Sequence, residues 1–432
     1  MAARQRCWVL MAAAILLSLR AGPEAWAGEL PRIEPARACF SESRLKRVDA
    51  VVRRRIDSGD FPGAIVAIAR QGRIVYLRAQ GSPGVGAASP LTEDAIFRMY
   101  SSTKPVTAVA LLQLYEDGAF QLDDPVADFL PELAEAHVGD STDPLPGRRT
   151  ITIRELITHT SGLSYGNATD DPVDELYRAA RLWESGDLDE FARRVGKLPL
   201  KFQPGDAWNY SVGMDLAGLI VERVSGRSLP DYMKEHIFGP LGMVDTDFVV
   251  PEGKLGRLVE NHVKDLASGR ALSFVEGDLS SVPGGIFANG CFALCNFEDV
   301  TLHSGGAGLV STIRDFLRFA EMLRNQGELD GVRVLGAKTV QYMTMNHFGG
   351  ETTPGVGFGL GVPVIVDPVA NGVMGSGGAY YHDGAAGTIF LVDPEEELVV
   401  LGFTQVLMQL EWGRDLRVAV YQSLEGSMPC HS

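Results

Sequence analysis

The chain has 432 residues, of which 45% are hydrophobic and 22% charged, and a formal net charge of −16. That composition excludes a disordered or collagen-like chain and leaves ample material for a core, while the length allows two or three domains. The acidic balance argues against nucleic acid and anionic membrane surfaces as partners.

Residues 1–27 read as a secretory signal peptide: Arg4 and Arg6 form a basic start, Cys7 to Leu19 an apolar run broken by Arg20, and Ala25-Trp26-Ala27 a cleavage signal before Gly28. The run is too short to span a bilayer comfortably, and no later stretch is long enough either. Export to the periplasm or medium is therefore expected, with no transmembrane anchor after cleavage. Cys39, Cys291, Cys295 and Cys430 would remain and can oxidise there. The preferred pairing is Cys39–Cys430 with Cys291–Cys295, because domain ends often lie close together. No clustered histidine accompanies these cysteines, so no metal is expected, and no cofactor motif is read.

Ser41 to Ile56 has the pattern of a basic amphipathic surface helix, with Ser41 or Ser43 as N-cap. Gly63 to Gly81 contains two β-rich runs around Gln71-Gly72, a hairpin signal. Phe97 to Gly118 reads FRMYSSTKPVTAVALLQLYEDG. It places Ser101 and Lys104 three apart at the head of an apolar helix that Gly118 is suited to end. A serine nucleophile needs a base for its proton and donors for the oxyanion, and a helix N-terminus supplies donors. A second Ser-x-x-Lys pair, Ser43 and Lys46, lies on the charged surface helix. Only Ser101 opens a helix that is expected to be buried, where a lysine can lose its proton.

Leu122 to Leu133 is turn-rich with a short helix. Thr152 can cap a helix over 153–158 that Gly162 closes; His159 and Ser161 at its end are expected to be structural. Asp171 to Arg194 is read as helical and charged, Asn209 to Val224 as a second apolar helix with Tyr210 just ahead of it, and Leu229 to Phe238 as another helix. Gly285 to Cys295 is rich in small residues. Gly305 to Leu323 is a glycine-flanked strand followed by a helix capped by Ser311 or Thr312, and Val334 to Met345 is helical. Gly355 to Val366, 387–392 and 398–405 are strand-like, and Trp412 to Leu424 is a closing helix. Strands collect at both ends and helices in the middle. The expected fold is α+β: an antiparallel sheet formed from N- and C-terminal segments, flanked by helices, with a mainly helical region inserted. Residues 28–432 are read as a single catalytic domain, with an α/β part at about 40–105 and 305–425 and a helical part at about 106–304.

These pieces together resemble the serine β-lactamase and penicillin-binding-protein superfamily: Ser-x-x-Lys on its helix, ITIRELITHTSGL, Tyr-Ser after a Gln-Pro-Gly turn, GGAGLVST, GFGLG and HDGAAGTIFLVDP. The similarity is strongest to the class C β-lactamase-like branch with its family VIII carboxylesterases and DD-peptidases. The resemblance implies Ser101 as acylated nucleophile, Lys104 as base, and Tyr210 sharing proton transfer, its phenol pushed toward phenolate by the ammonium. It implies a third motif at His382-Asp383-Gly384 and an oxyanion hole from the backbone N–H groups of Ser101 and Ala385. Two departures stand out. Val212 replaces the asparagine of Tyr-x-Asn and cannot bond a substrate amide. His382 replaces a lysine and is neutral unless Asp383 raises its pKa, while Asp383 would itself repel a carboxylate.

Both departures lean toward ester hydrolysis among small-molecule ester, amide or lactam substrates. A D-amino-acid peptidase or weak β-lactamase is the runner-up. A sensor that acylates once without turnover would be expected to lack Lys104 or Tyr210. An α/β-hydrolase is disfavoured because no G-x-S-x-G elbow occurs.

Overall fold

A computed structural model of the chain describes residues 28–139, 150–265, 268–273, 300–409 and 411–426. The expected signal peptide, the small-residue run 285–295 and Cys291, Cys295 and Cys430 lie outside the described residues.

The Gln71-Gly72 hairpin forms as the sequence predicts. Gln71 and Gly72 have φ of 52° and 72°, the left-handed pair that lets a two-residue loop follow the strand twist. The strands Gly63–Arg70 and Arg73–Gly81 extend from it. They form one edge of a seven-stranded sheet. Leu398–Phe403 pairs antiparallel with Gly63–Arg70, setting Ile65 opposite Phe403 and Arg70 opposite Leu398. Ile389–Asp393, Tyr380–Tyr381, Pro363–Ile365 and Val356–Phe358 follow outward in that order. The sheet therefore joins the two ends of the chain, as expected, and the fold is α+β. The strand-like stretch Gly355 to Val366 supplies the last two of these strands.

Alternation along the strands divides the interior in two. Ile65, Ala67, Ala69, Phe390, Val392, Val399 and Leu401 point into the main core. Ala64, Val66, Ile68, Ile389, Leu391, Leu398 and Val400 point into a second core on the opposite face. The helices Glu42–Ser58 and Trp412–Tyr421 close the second core with Val48, Val52, Trp412 and Leu416. Both faces are covered, so the central strands are buried throughout and carry no polar face.

The helix Ile313–Arg324 lies on the main-core face, and Thr312 caps it by accepting from Asp315 N–H. Behind it stands the helix Thr103–Glu116, hereafter the core helix. Every residue of the core helix from Thr103 to Leu112 is buried, because it is sandwiched between the sheet and the inserted helices. Gly118, at φ 76°, follows its C-terminus as expected.

Asp171 to Arg194 is helical as expected, in two segments, Pro172–Ala179 and Leu188–Val195, parted where Arg181 turns left-handed and Asp187 caps the second. Two expectations in the helical region are corrected. Leu229 to Phe238 is α-helical only over Leu229–Met233, then widens into a π turn over Lys234–Phe238. Pro240 has no N–H to return to the His236 carbonyl, which instead accepts from Gln113 Nε2 at 3.3 Å. The capped helix at Thr152 forms with Glu155 completing a capping box, but it spans Ile153–Ile157, and the chain turns at His159 (φ 61°) before it reaches Gly162.

Glu425 N–H donates to the Cys39 carbonyl at 2.8 Å, and Cys39 is disulfide-bonded. The two ends of the described chain thus meet at the residue expected to pair with Cys430.

Trp412 is fully buried, meets Phe61 edge-on at 5.5 Å and donates to the Gly387 carbonyl at 3.0 Å. Its ring occupies the space a side chain at Gly402 would fill. Trp412→Ala is expected to lower unfolding free energy by about 3–5 kcal/mol in urea titration. A loss near zero would mean the second core closes without it.

Candidate active site

Ser101 lies in a tight 3-10 turn, Tyr100–Ser102, that runs straight into the core helix. Its backbone N–H belongs to the first turn, where no intrahelical acceptor exists. Tyr100 before it is held at φ 46°, a conformation uncommon for a side chain of that size. The Asn261 amide, donating to the Tyr100 hydroxyl at 2.7 Å, and Met99 N–H, donating to the Leu309 carbonyl at 2.8 Å, pin that turn.

One helical turn on, Lys104 Nζ stands 3.1 Å from Ser101 Oγ and donates to the Gly306 carbonyl at 2.7 Å. Nζ also sits 4.7 Å from the Tyr210 ring centre and 5.3 Å from that of Tyr165. Lys104 is completely buried, and burial brings its pKa down to about 7 against an opposing pull from Asp215. The Tyr210 hydroxyl donates to Ser101 Oγ at 2.8 Å. Ser101 itself is 9% exposed, while Ser102, Thr103 and Lys104 after it have no exposure. The second pair, Ser43 and Lys46, is exposed on the first helix, and Ser43 Oγ meets Ser41 Oγ at 3.1 Å.

Tyr210 is aimed by the segment after Thr158. His159 Nδ1 accepts from Ser211 N–H at 3.2 Å, which assigns the ring proton to Nε2. The His159 carbonyl accepts from Asn209 N–H at 2.9 Å, and Asn209 Nδ2 donates to the Leu163 carbonyl at 2.8 Å. The His159 and Tyr165 rings pack on Tyr210 at 4.8 Å and 5.1 Å. His159 and Ser161 are fully buried and structural in this sense. Trp208 and Phe358 extend the aromatic wall, 5.7 Å apart. Trp208 is a feature that sequence reasoning missed.

The third motif reaches the site because its turn is tied to the turn of Ser101. Ser102 Oγ donates to the His382 carbonyl at 3.2 Å, and Thr388 Oγ1 donates to the Met99 carbonyl at 3.1 Å. Gly384 passes so close that a Cβ would lie 2.3 Å from the Met99 carbonyl. Ala385 follows, anchored by Met408 N–H donating to its carbonyl at 2.8 Å.

Burial, with Lys104 adding to it, pushes His382 down to about 3, so its imidazole is neutral. The structure corrects three electrostatic and specificity expectations. Burial holds the Tyr210 phenol well above its ordinary pKa, so it is a proton donor and not a phenolate. Asp383 does not face His382's substrate side as a free charge, since Arg417 holds its carboxylate at 3.2 Å. Val212 is fully buried in the main core just before the helix Gly213–Ser225, and offers no accessible side chain to a substrate.

Sequence reasoning also missed Asp215 on that helix. A lone acid in the run GMDLAGLIV five residues past Tyr210 was the available sign. It is 1% exposed, and its Oδ1 accepts from Gly306 N–H at 3.1 Å and from the Ser304 hydroxyl.

The sequence profile of the family described as Beta-lactamase matches residues 48–415. Esterase EstB of Burkholderia gladioli is 36% identical over 368 residues, spanning 84% of this chain and 90% of the relative. Protein Rv1367c of Mycobacterium tuberculosis is 32% identical over 374 residues, spanning 82% and 88%. Among solved structures, EstCE1, described as a hydrolase with promiscuous acyltransferase activity, superposes with a TM-score of 0.75 at 27% identity, covering 88% of this chain and 99% of that one.

Val212→Asn is expected to cost roughly 1–3 kcal/mol in urea titration, the price of a buried unpaired amide, and to leave the ratio of cephalosporin to ester hydrolysis unchanged. A raised ratio in a variant of unchanged stability would show that the side chain reaches the substrate after all.

Proposed function

The chain belongs to the β-lactamase family, and from that premise we propose that it is an exported serine hydrolase cleaving carboxylic esters through an acyl-enzyme on Ser101. The observation that carries this is one line of hydrogen-bonded polar atoms running from the half-buried Tyr210 to the buried Lys104. The Tyr210 hydroxyl donates to Ser101 Oγ, Ser101 Oγ lies beside Lys104 Nζ, and Nζ donates to the Gly306 carbonyl.

With Tyr210 protonated and Lys104 near half-neutral at pH 7, the Ser101 proton has one acceptor, the amine. Lys104 takes it as Oγ bonds to the ester carbon, and the carbonyl electron pair moves onto oxygen. The N–H groups of Ser101 and Ala385 receive that charge; one such donor is typically worth about 3 kcal/mol of barrier. Collapse expels the alcohol, which takes the Tyr210 proton, and the Lys104 ammonium restores it. Water then attacks the acyl-enzyme, giving a proton to Lys104, and Ser101 Oγ leaves and is reprotonated.

The neutral His382 supports esters over substrates that need a fixed cation for a carboxylate, as does the likeness to Esterase EstB. The basic leader with its Ala25-Trp26-Ala27 end and the disulfide at Cys39 support an oxidising location outside the cytoplasm. The family match over 48–415 is in keeping with one catalytic domain within 28–432.

Ser101→Ala is expected to abolish p-nitrophenyl ester hydrolysis, and Ser43→Ala to leave it near wild type; the opposite pattern refutes the assignment. Lys104→Ala should lower kcat by about 100- to 10,000-fold, and a loss under about tenfold would make it structural.

Fluorophosphonate labelling of Ser101 should speed up as pH rises through about 7, because the reactive form has a neutral amine. A limb near pH 10, the ordinary lysine range of about 10.4, would contradict this. A single equivalent of alcohol from short esters, or of ring-opened nitrocefin, with no turnover would favour a sensor.

A further inference from the structure

Lys104 needs more than Ser101 and Tyr210 beside it. A buried amine on a flexible stem must be held in one place, and it must keep enough proton affinity to act as a base near neutrality. The Gly306 carbonyl does the holding, at 2.7 Å. The turn that presents this carbonyl has no strand or helix of its own to fix it.

Asp215 fixes it. The helix Gly213–Ser225 begins three residues after Tyr210, and Asp215 in its first turn reaches across to the segment 304–306. Its Oδ1 accepts from Gly306 N–H at 3.1 Å and from the Ser304 hydroxyl. The same peptide turn thus binds Asp215 through its N–H and Lys104 through its carbonyl. There is no slack: a Cβ on Gly306 would come within 2.6 Å of Asp215 Oδ2 and 2.8 Å of the Tyr165 hydroxyl. Gly305 is pressed as closely against the Met214 carbonyl, at 2.5 Å. The small residues at 305–306 are there because two backbones and a carboxylate meet.

The groups facing Lys104 differ in charge. Tyr165 and Tyr210 are held as phenols by burial, and His159 and His382 as neutral imidazoles. Asp215 is the acid that acts on the amine. Burial pushes the Asp215 carboxyl above its ordinary range, and the Ser304 hydroxyl, Lys104 and the Gly306 N–H pull against that rise. We infer that Asp215 is a positioning residue for Lys104: it clamps the 304–306 turn that holds the amine, and its carboxyl acts on the amine from the neighbouring helix.

This rests on the reading of Lys104 as base. Asparagine at 215 can still accept from Gly306 and Ser304 but carries no charge, so Asp215→Asn separates the electrostatic role from the structural one. The measurement is the pH profile of fluorophosphonate labelling at Ser101, followed by mass spectrometry, alongside kcat for p-nitrophenyl butyrate. The acid limb is expected to move to lower pH by about one unit or more, the effect of withdrawing an opposite charge from a buried group. The plateau rate should fall as the base weakens.

Ser304→Ala removes a donor from Asp215 and no charge. It should move the limb the same way by less, and it decides alone if Asp215→Asn does not accumulate folded. A lowered plateau with the limb unmoved, or a limb moved upward, overturns the inference and leaves Asp215 as packing. The two readings fail separately. If Lys104→Ala labels as fast as wild type, the base assignment falls. If Lys104→Ala is dead and the limb stays in place without the Asp215 charge, only the present inference falls.

Discussion

A lysine amine with no exposure to water is the constraint around which this site is arranged. Left alone in an apolar interior, an ammonium is expensive and gives up its proton. Here the amine has a carbonyl at 2.7 Å, a hydroxyl at 3.1 Å, two aromatic faces within 5.3 Å, and a carboxylate acting from the neighbouring helix. Burial prevails, but only as far as neutrality. The outcome is an amine that can both take and return a proton at ordinary pH. The surroundings respond in kind, since the low-dielectric setting that lowers Lys104 also keeps Tyr210 a phenol and His382 a neutral imidazole.

The rest of the fold brings this buried helix turn to a surface that a substrate can reach. The sheet is formed by strands from both ends of the sequence, and the turn after Tyr380–Tyr381 is bonded through Thr388 and Ser102 to the turn of Ser101. That bond holds the 382–388 turn against the turn of Ser101. The inserted helices deliver Tyr210 from the other side, and the segment His159–Tyr165 fixes its direction. Three stretches distant in sequence therefore converge through backbone contacts, so the site's precision depends on tertiary packing more than on any local motif.

The features legible in the sequence share a local cause. The Gln71-Gly72 turn, the Thr152 capping box, the Thr312 cap and the Gly118 stop each follow from the backbone preferences of a few adjacent residues. The Ser101–Lys104 pair was legible because three residues on a helix always share a face. Within the helical stretch Asp171 to Arg194, the charged pattern continues through Ser185-Gly186-Asp187 and does not mark the break, where the Asp187 cap competes locally with helix continuation. The Tyr210 phenolate was misjudged because the ammonium is visible in a sequence while the depth of burial is not.

The sequence by itself determined the elements, the order of the motifs and the nucleophile with its neighbouring amine, since these depend on spacing and propensity along the chain. Tertiary structure alone decided which charges face one another. It turned Asp383 toward Arg417, sank Val212 into the core and set Asp215 behind the turn that holds Lys104. The physical reason is that an ionisable group's behaviour is set by its desolvation and by partners within a few ångströms, and those partners are brought together only when the chain folds.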